Sequence, residues 1–309
     1  MLASALRIAF LWLSNRRWLA HLALRIPWLR RLPLRFVAGT TLDEAVAAVR
    51  ALNGDGAKVT LDVLGESVED RSAADRAAGE YVRTIERIGA EGLDANVSVK
   101  LTQMGLDLGV EPCLEVIRRV VETGERHGVF VRIDMESSAY TDRTLEVMWR
   151  LRREGCPVGP VLQAYLHRSV EDARRLASER VPVRVCKGAY AEPEEIAWHD
   201  RGAIGRSFLE IVRILLEADA YPAIATHDPE MVRGALALVR EHGIAPDRYE
   251  FQMLYGIRRD LQQRLIERGH RVRIYVPYGT EWYPYFMRRL AERPANVAFV
   301  ARSLFGERR

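Results

Sequence analysis

From residue 58 onward, short runs of β-branched and apolar residues alternate with longer stretches whose apolar positions follow a helical period. The short runs cover 58–64, 96–101, 129–134, 160–165, 181–187, 222–226, 249–253 and 272–276, and their length and composition predict eight strands. Helices are predicted over 73–90, 114–126, 144–153, 170–178, 205–218, 229–241, 258–268 and 281–292. Strands that alternate with helices must pair in parallel, and eight such units predict an α/β fold of the closed (β/α)8, TIM-barrel type. A doubly wound sheet is the competing architecture. It usually carries a glycine-rich phosphate turn after its first strand, whereas this chain runs on into Leu64-Gly65-Glu66-Ser67, with neither GxGxxG nor GxxxxGK[ST].

The last predicted helix is two-sided. Tyr285, Arg288, Arg289 and Glu292 stand at i, i+3, i+4 and i+7 and share one face, beside an apolar stripe of Phe286, Met287 and Leu290. Two adjacent guanidinium forks, with an aromatic ring one turn before and a carboxylate one turn after, suit a small planar anion such as a substrate carboxylate. A solvated Arg/Glu face has the same pattern, so the remaining residues must decide.

The first forty residues differ from the rest. They hold Arg7, Arg16, Arg17, Arg25, Arg30, Arg31 and Arg35, with Trp12, Trp18 and Trp28, and no acidic residue precedes Asp43. Residues 1–40 are therefore read as a basic, helical, Trp-bearing arm, and residues 41–309 as the barrel. The apolar stretch 2–13 is broken by Arg7 and too short to span a bilayer, and no A-x-A cleavage site follows it. The arm fits three roles: a membrane-interface helix, a cap on the barrel, or a transit peptide.

Composition narrows the classes. A chain of 309 residues, 48% hydrophobic, can bury one large core. The net charge of +4 is small, and beyond residue 42 basic side chains mix with acidic ones, which argues against a nucleic-acid partner. The three cysteines, Cys113, Cys156 and Cys186, form no CxxC, so no disulfide framework or zinc site is expected and a reducing, cytoplasmic location is. No HExxH, Ser-His-Asp spacing or other metal-ligand cluster appears. Among 46 basic residues only Lys58, Lys100 and Lys187 are lysines, so those positions call for a compact ammonium.

In a barrel the C-terminal strand ends face the active site. The polar residues there are Glu66, Lys100, Asp134, Gln163, Arg184, Lys187, Thr226, His227, Gln252 and Tyr275. Buried charges must pair, and Lys100 and Asp134, on neighbouring strands, are expected to pair with each other. Gln252 and Thr226 read more readily as satisfied core polar groups.

These strand ends carry a resemblance. Leu61-Asp62-Val63-Leu64-Gly65-Glu66, Val97-Ser98-Val99-Lys100, Val131-Arg132-Ile133-Asp134-Met135-Glu136, Leu162-Gln163-Ala164-Tyr165, Arg184-Val185-Cys186-Lys187-Gly188-Ala189-Tyr190, Ala225-Thr226-His227-Asp228, Phe251-Gln252-Met253-Leu254 and Tyr275-Val276-Pro277-Tyr278-Gly279, followed by Arg288-Arg289, resemble in order the motif series of the proline dehydrogenases. The likeness runs from about residue 36 to the C-terminus and is to the short, monofunctional bacterial type, since no aldehyde dehydrogenase domain follows the barrel.

The resemblance implies a distorted (β/α)8 barrel with non-covalent FAD, L-proline as substrate and Δ1-pyrroline-5-carboxylate as product. Hydride would pass from C5 to flavin N5, and electrons would go to a membrane quinone. It implies Asp134, Arg184 and Tyr275 as catalytic residues, and Lys100, Tyr285, Arg288, Arg289 and Glu292 as substrate-binding ones. For the cofactor it implies Met135, Gln163, Arg184, Lys187, Gly188, Ala189, Thr226 and His227. The setting implied is the cytoplasmic side of the membrane, with peripheral contact through the arm and hand-off of product to a separate pyrroline-5-carboxylate dehydrogenase. Two other readings compete. A Schiff-base aldolase would use Lys100 or Lys187 as nucleophile with Asp134 as proton shuttle, and a non-catalytic scaffold would use only the basic arm.

Overall fold

Successive side chains along the strands divide into two sets. Val59 and Leu61, Val97 and Val99, Val131 and Ile133, Val183 and Val185, Phe251 and Met253, and Val272, Ile274 and Val276 all join the main apolar core. The positions between them are polar or charged: Thr60, Asp62, Asn96, Ser98, Arg132, Arg184, Glu250, Gln252, Arg273 and Tyr275. With a period of two, the first set faces the helices and the second faces the barrel axis. The hydrophobic core therefore lies in the layer between sheet and helices, and the axis is lined with groups that must find partners of opposite kind.

The computed structural model describes residues 35–65 and 67–292, and of residues 288 and 290–292 the backbone alone. A helix α1 (Leu42–Gly54) precedes β1 (Lys58–Val63), and the chain then alternates through α2 (Arg71–Ala90), β2 (Ala95–Val99), α3 (Val110–His127), β3 (Val131–Ile133), α4 (Thr141–Arg153) and β4 (Val158–Gln163). It continues with α5 (Ser169–Ser178), β5 (Val183–Cys186), α6 (Arg201–Glu217), β6 (Pro222–Ala225), α7 (Pro229–Glu241), β7 (Glu250–Leu254), α8 (Arg259–Glu267), β8 (Val272–Tyr278) and α9 (Trp282–Glu292). The strands pair in sequence order, and β8 closes on β1 in parallel, with Thr60 opposite Tyr275. The fold is the (β/α)8 barrel that the alternation predicted.

Helices α2 and α6 start a few residues earlier than the apolar period alone suggested, because capping side chains set them. Asp70 accepts from Ala73 N at 2.7 Å and Asp200 from Ala203 N at 2.6 Å, so α2 and α6 begin directly after these aspartates. Helix α1 was not predicted at all. Its signal was the capping box of Thr41 and Glu44, each side chain bonding the other's backbone N–H.

The barrel departs from a regular one at α9. Trp282, Tyr283, Tyr285, Phe286 and Met287 pack with Phe36, Val37 and Leu64 in an apolar cluster separate from the main core. The segment entering α1 is tied to the β8 end by Ala38 N donating to Pro277 O at 2.9 Å and Gly279 N to Gly39 O at 3.1 Å. The arm's remaining residues, 1–34, lie outside the described residues. No described helix is long and apolar enough to cross a membrane.

Candidate functional site

Asp134 directly follows β3, where its N–H donates to Val99 O at 2.9 Å and continues the ladder. Its Oδ1 accepts from Ser98 Oγ at 2.6 Å and from Arg184 Nη1 at 2.6 Å, and its Oδ2 accepts from Tyr275 OH at 2.9 Å. One carboxylate thus gathers side chains from β2, β5 and β8. Arg184, 6% exposed, also donates from Nη1 to Ser98 Oγ at 3.0 Å and from Nε to Gln252 Oε1, and its guanidinium carbon lies 5.1 Å from the centre of the Tyr275 ring. Its Nη2 is buried without a hydrogen-bond partner. Burial and the charges of Asp134 and Asp62 push the Tyr275 phenol well above its ordinary pKa, so it stays protonated and remains a donor.

The expected pairing of Lys100 with Asp134 is not formed. Lys100 Nζ binds Asp62 Oδ1 at 2.7 Å, a carboxylate only 1% exposed to which no role was assigned from the sequence. The register explains it. Asp62 stands opposite Ser98, and Lys100 lies two residues on, over the same face of β2, within reach of Asp62. Both oxygens of Asp134 meanwhile have closer suitors in Ser98, Arg184 and Tyr275. Burial alone would depress the Lys100 ammonium, but Asp62, with Asp134 and Glu136 behind it, outweighs burial and holds its pKa above the ordinary lysine value. An amine nucleophile must be unprotonated, so this arrangement opposes the Schiff-base reading for Lys100.

On α9, the Arg289 guanidinium carbon sits 5.1 Å from the centre of the buried Tyr285 ring, which joins two of the expected substrate-binding residues. The side chains of Arg288 and Glu292, and Glu66 entirely, lie outside the described residues.

The expected cofactor residues occupy the ends of β3 to β6. Met135 is buried; Gln163 Nε2 donates to Glu136 O at 2.7 Å; Lys187 Nζ pairs with Asp228 Oδ2 at 2.7 Å. Thr226 Oγ1 accepts from Asp228 N at 3.1 Å, and His227 Nε2 accepts from Leu254 N at 2.9 Å, which leaves the ring proton of neutral His227 on Nδ1. Gly188 has φ +108° and a Cβ there would run into the Tyr165 ring, so only glycine lets β5 turn away from Tyr165 at this point. Ala189 is exposed on the same turn. At Cys186, on the adjoining strand residue, burial pushes the thiol up to about 11, which disfavours the thiolate.

Sequence reasoning missed Asp62, Ser98, Glu136 and Asp228 as partners of the expected residues. Their signal was their strand phase or immediate proximity, since Asp62 and Ser98 occupy axis-facing positions and Asp228 immediately follows His227. Among the described residues no group of three His, Cys, Asp or Glu side chains could hold a metal ion. The groove between α4 and α5, lined by Trp149, Arg150, Arg168 and Asp172, is by contrast a solvated ion-pair face, with Arg150 bound to Glu146 and Arg168 to both Asp142 and Asp172.

The barrel mouth thus gathers a buried arginine and a tyrosine on one carboxylate, and α9 carries a second arginine against a tyrosine. The chain belongs to the proline dehydrogenase family, whose model matches residues 45–302. Proline dehydrogenase 1 of Bacillus subtilis subsp. natto is 40% identical over 97% of this chain and 99% of its own length. The proline dehydrogenase of Deinococcus radiodurans is 39% identical over 98% of this chain and 99% of its own. Among solved structures, proline utilization A from Bdellovibrio bacteriovorus, inactivated by N-propargylglycine, superposes with a TM-score of 0.80 at 25% identity, over 85% of this chain and 33% of that one.

Proposed function

We propose that this chain oxidises L-proline to Δ1-pyrroline-5-carboxylate by hydride transfer from C5 of the substrate to N5 of a non-covalently held FAD, and that the electrons go on to a membrane quinone. Membership of the family makes the chain an oxidoreductase acting on proline. The observation that carries the finer reading is Arg184 Nη2, a buried cationic donor left open while Nη1 and Nε are both engaged. A desolvated donor of this kind needs an acceptor, and the residues present fit a flavin on that ground. Gln163, Lys187, Gly188, Thr226 and His227, with Met135 and Ala189 beside them, are the residues that would hold it.

A bound flavin supplies the two-electron acceptor that no amino-acid side chain provides. Arg289 on Tyr285 binds the substrate carboxylate, and Arg288 and Glu292 belong to the same proposed clamp. Lys100, kept as an ammonium by Asp62, adds a positive charge to the substrate side. Tyr275, fixed by its bond to Asp134 and by the guanidinium over its ring, walls the site. Arg184 then offers fixed positive charge where negative charge accumulates on reduction, at no reorganisation cost. Placement does most of the work, because substrate and acceptor are held in one orientation.

Purified protein should carry FAD, identified after heat release by chromatography, and its absorption should bleach on addition of proline. Release of FMN or a nicotinamide, or a colourless protein after reconstitution, defeats the cofactor assignment; a flavin that proline leaves oxidised defeats the substrate. Peripheral contact through the arm belongs to the same proposal: deleting residues 1–35 should lower vesicle binding and quinone turnover, and a truncated protein that keeps both would place the arm elsewhere. Hand-off to a pyrroline-5-carboxylate dehydrogenase is the corresponding proposal for the product.

A further inference from the structure

Behind Arg184 the barrel axis holds a second run of polar contacts that the proposed chemistry does not use. Glu250, at the start of β7 and 2% exposed, accepts from Arg273 Nε through Oε1 at 2.8 Å and Oε2 at 3.0 Å, and from Tyr221 OH at 3.2 Å. Arg273 is itself held by Nη1 donating to Val59 O at 2.7 Å. Gln252, two residues along β7 and 4% exposed, donates from Nε2 to Glu250 Oε1 at 2.6 Å and accepts on Oε1 from Arg184 Nε. Burial alone would raise the Glu250 carboxyl, but Arg273, Gln252 and Arg132 outweigh it and hold it below the usual range, hence ionised.

The amide of Gln252 has only one workable orientation. An arginine only donates and a carboxylate only accepts, so turning the amide over would set N–H against N–H on one side and oxygen against carboxylate on the other. Gln252 is therefore a neutral, directional spacer between a buried anion and Arg184. It fixes the guanidinium by Nε, while Ser98 and Asp134 fix it by Nη1. Two nitrogens held from different strands leave the planar fork no rotation, and Nη2 is aimed by default.

We infer that Gln252 is a positioning residue for the reaction: anchored on Glu250 and Arg273, it sets the direction of Arg184 Nη2 and keeps the Glu250 charge from quenching that guanidinium by direct pairing. The inference rests on the proline-oxidising, flavin-dependent reading above.

The test is Gln252→Met, similar in length and without hydrogen-bonding capacity of comparable strength, purified as holoenzyme. Flavin content, the midpoint potential measured with a chemical reductant, and steady-state turnover with an artificial quinone are read together. Expected are a fall in kcat per bound flavin of about tenfold or more with KM for proline within about threefold, because the carboxylate clamp on α9 is untouched. The reduced flavin should be disfavoured about tenfold, or about 30 mV for a two-electron couple. A wild-type potential and wild-type kcat per bound flavin, with only flavin content or thermal stability lowered, would make Gln252 merely structural and overturn the inference. If Gln252→Met fails to fold, Gln252→Asn replaces it. The same amide one methylene shorter cannot span both neighbours, so the same two shifts are expected at smaller size, and wild-type values for both refute the idea. Because the potential is read without proline, a wild type that proline cannot reduce sinks the substrate reading while the potential comparison still decides the role of Gln252.

Discussion

Asp134–Arg184 and Lys187–Asp228 are two ion pairs at the same end of one barrel, and they are built on different principles. The first joins strands that are not neighbours, has side chains only 7% and 12% exposed, and is enclosed by Ser98, Gln252 and Tyr275. The second joins the ends of adjacent strands at the rim, with both side chains 35% exposed. Depth makes the difference. In the interior an unpartnered charge cannot be solvated, so each member of the first pair depends on the other, whereas water can replace either member of the second. On the proposed function, the inner pair would fix geometry and charge at the reacting centre, and the outer one would adjust how firmly the cofactor is held.

The sharpest way to break this comparison is to remove the inner pair. Asp134→Ala leaves Arg184 buried without its counter-ion and should cost about 3 to 5 kcal/mol of stability by chemical denaturation. Arg184→Ala should lower kcat by about 100- to 1000-fold, the scale seen when one preorganised donor to developing negative charge is deleted. Near wild-type turnover in Arg184→Ala would remove the guanidinium from the chemistry.

On the proposed function, Arg289 separates binding from chemistry. It stands on α9 over Tyr285, outside the enclosed cluster on Asp134. Arg289→Ala should raise KM for proline about 10- to 100-fold, the loss of one charge-assisted contact of about 1.5 to 3 kcal/mol, with flavin content unchanged. An unchanged KM would return that face of the helix to a solvated role.

At the rim, Lys187→Met should be mild. A pair this exposed is screened by water and contributes at most about 1 kcal/mol, so the dissociation constant for FAD should rise no more than about fivefold. kcat measured on the flavin-loaded fraction should stay at the wild-type value. A collapse of kcat would mean that the rim pair also shapes the reacting centre, and the contrast drawn above would fail.

How far these roles could be read beforehand depends on side-chain reach. Strand order, parallel pairing and barrel closure follow from the alternation of strand and helix, which leaves few other topologies. Most mouth residues were legible for the same reason, because the C-terminal ends of parallel strands must converge. Partner choice was not legible. Lys100 and Asp134 lie on neighbouring strands, yet Arg184 reaches across from β5 to take Asp134, and the β1–β2 register offers Asp62 to Lys100. Strand adjacency fixes backbones, whereas partner choice depends on register and on how far each side chain extends. Gln252 shows the same limit: its type and place were visible, but its task depends on a charge two residues away on the same strand and another across the barrel.

The smallest expected effect concerns Lys100, which lies between the two extremes at 22% exposed. Its pKa in the folded protein is raised above the ordinary lysine value of 10.5, against the pull of burial, chiefly by the charge of Asp62. A cationic group whose pKa is higher folded than unfolded contributes stability in full below the unfolded value and loses it as pH rises through the folded one. The wild type should therefore lose stability between about pH 10 and the folded-state pKa of Lys100, relative to Lys100→Met, which has no ammonium to titrate. At neutral pH the wild type keeps this contribution in full, because the variant leaves Asp62 buried without its ammonium. Urea denaturation of both proteins from about pH 8 to 11 measures the difference, and background titration of other groups cancels in the comparison. If the gap between the two proteins stays constant across that range, the Asp62 contact does not raise the lysine's pKa, and Lys100 returns to the set of amines that could attack a substrate carbonyl.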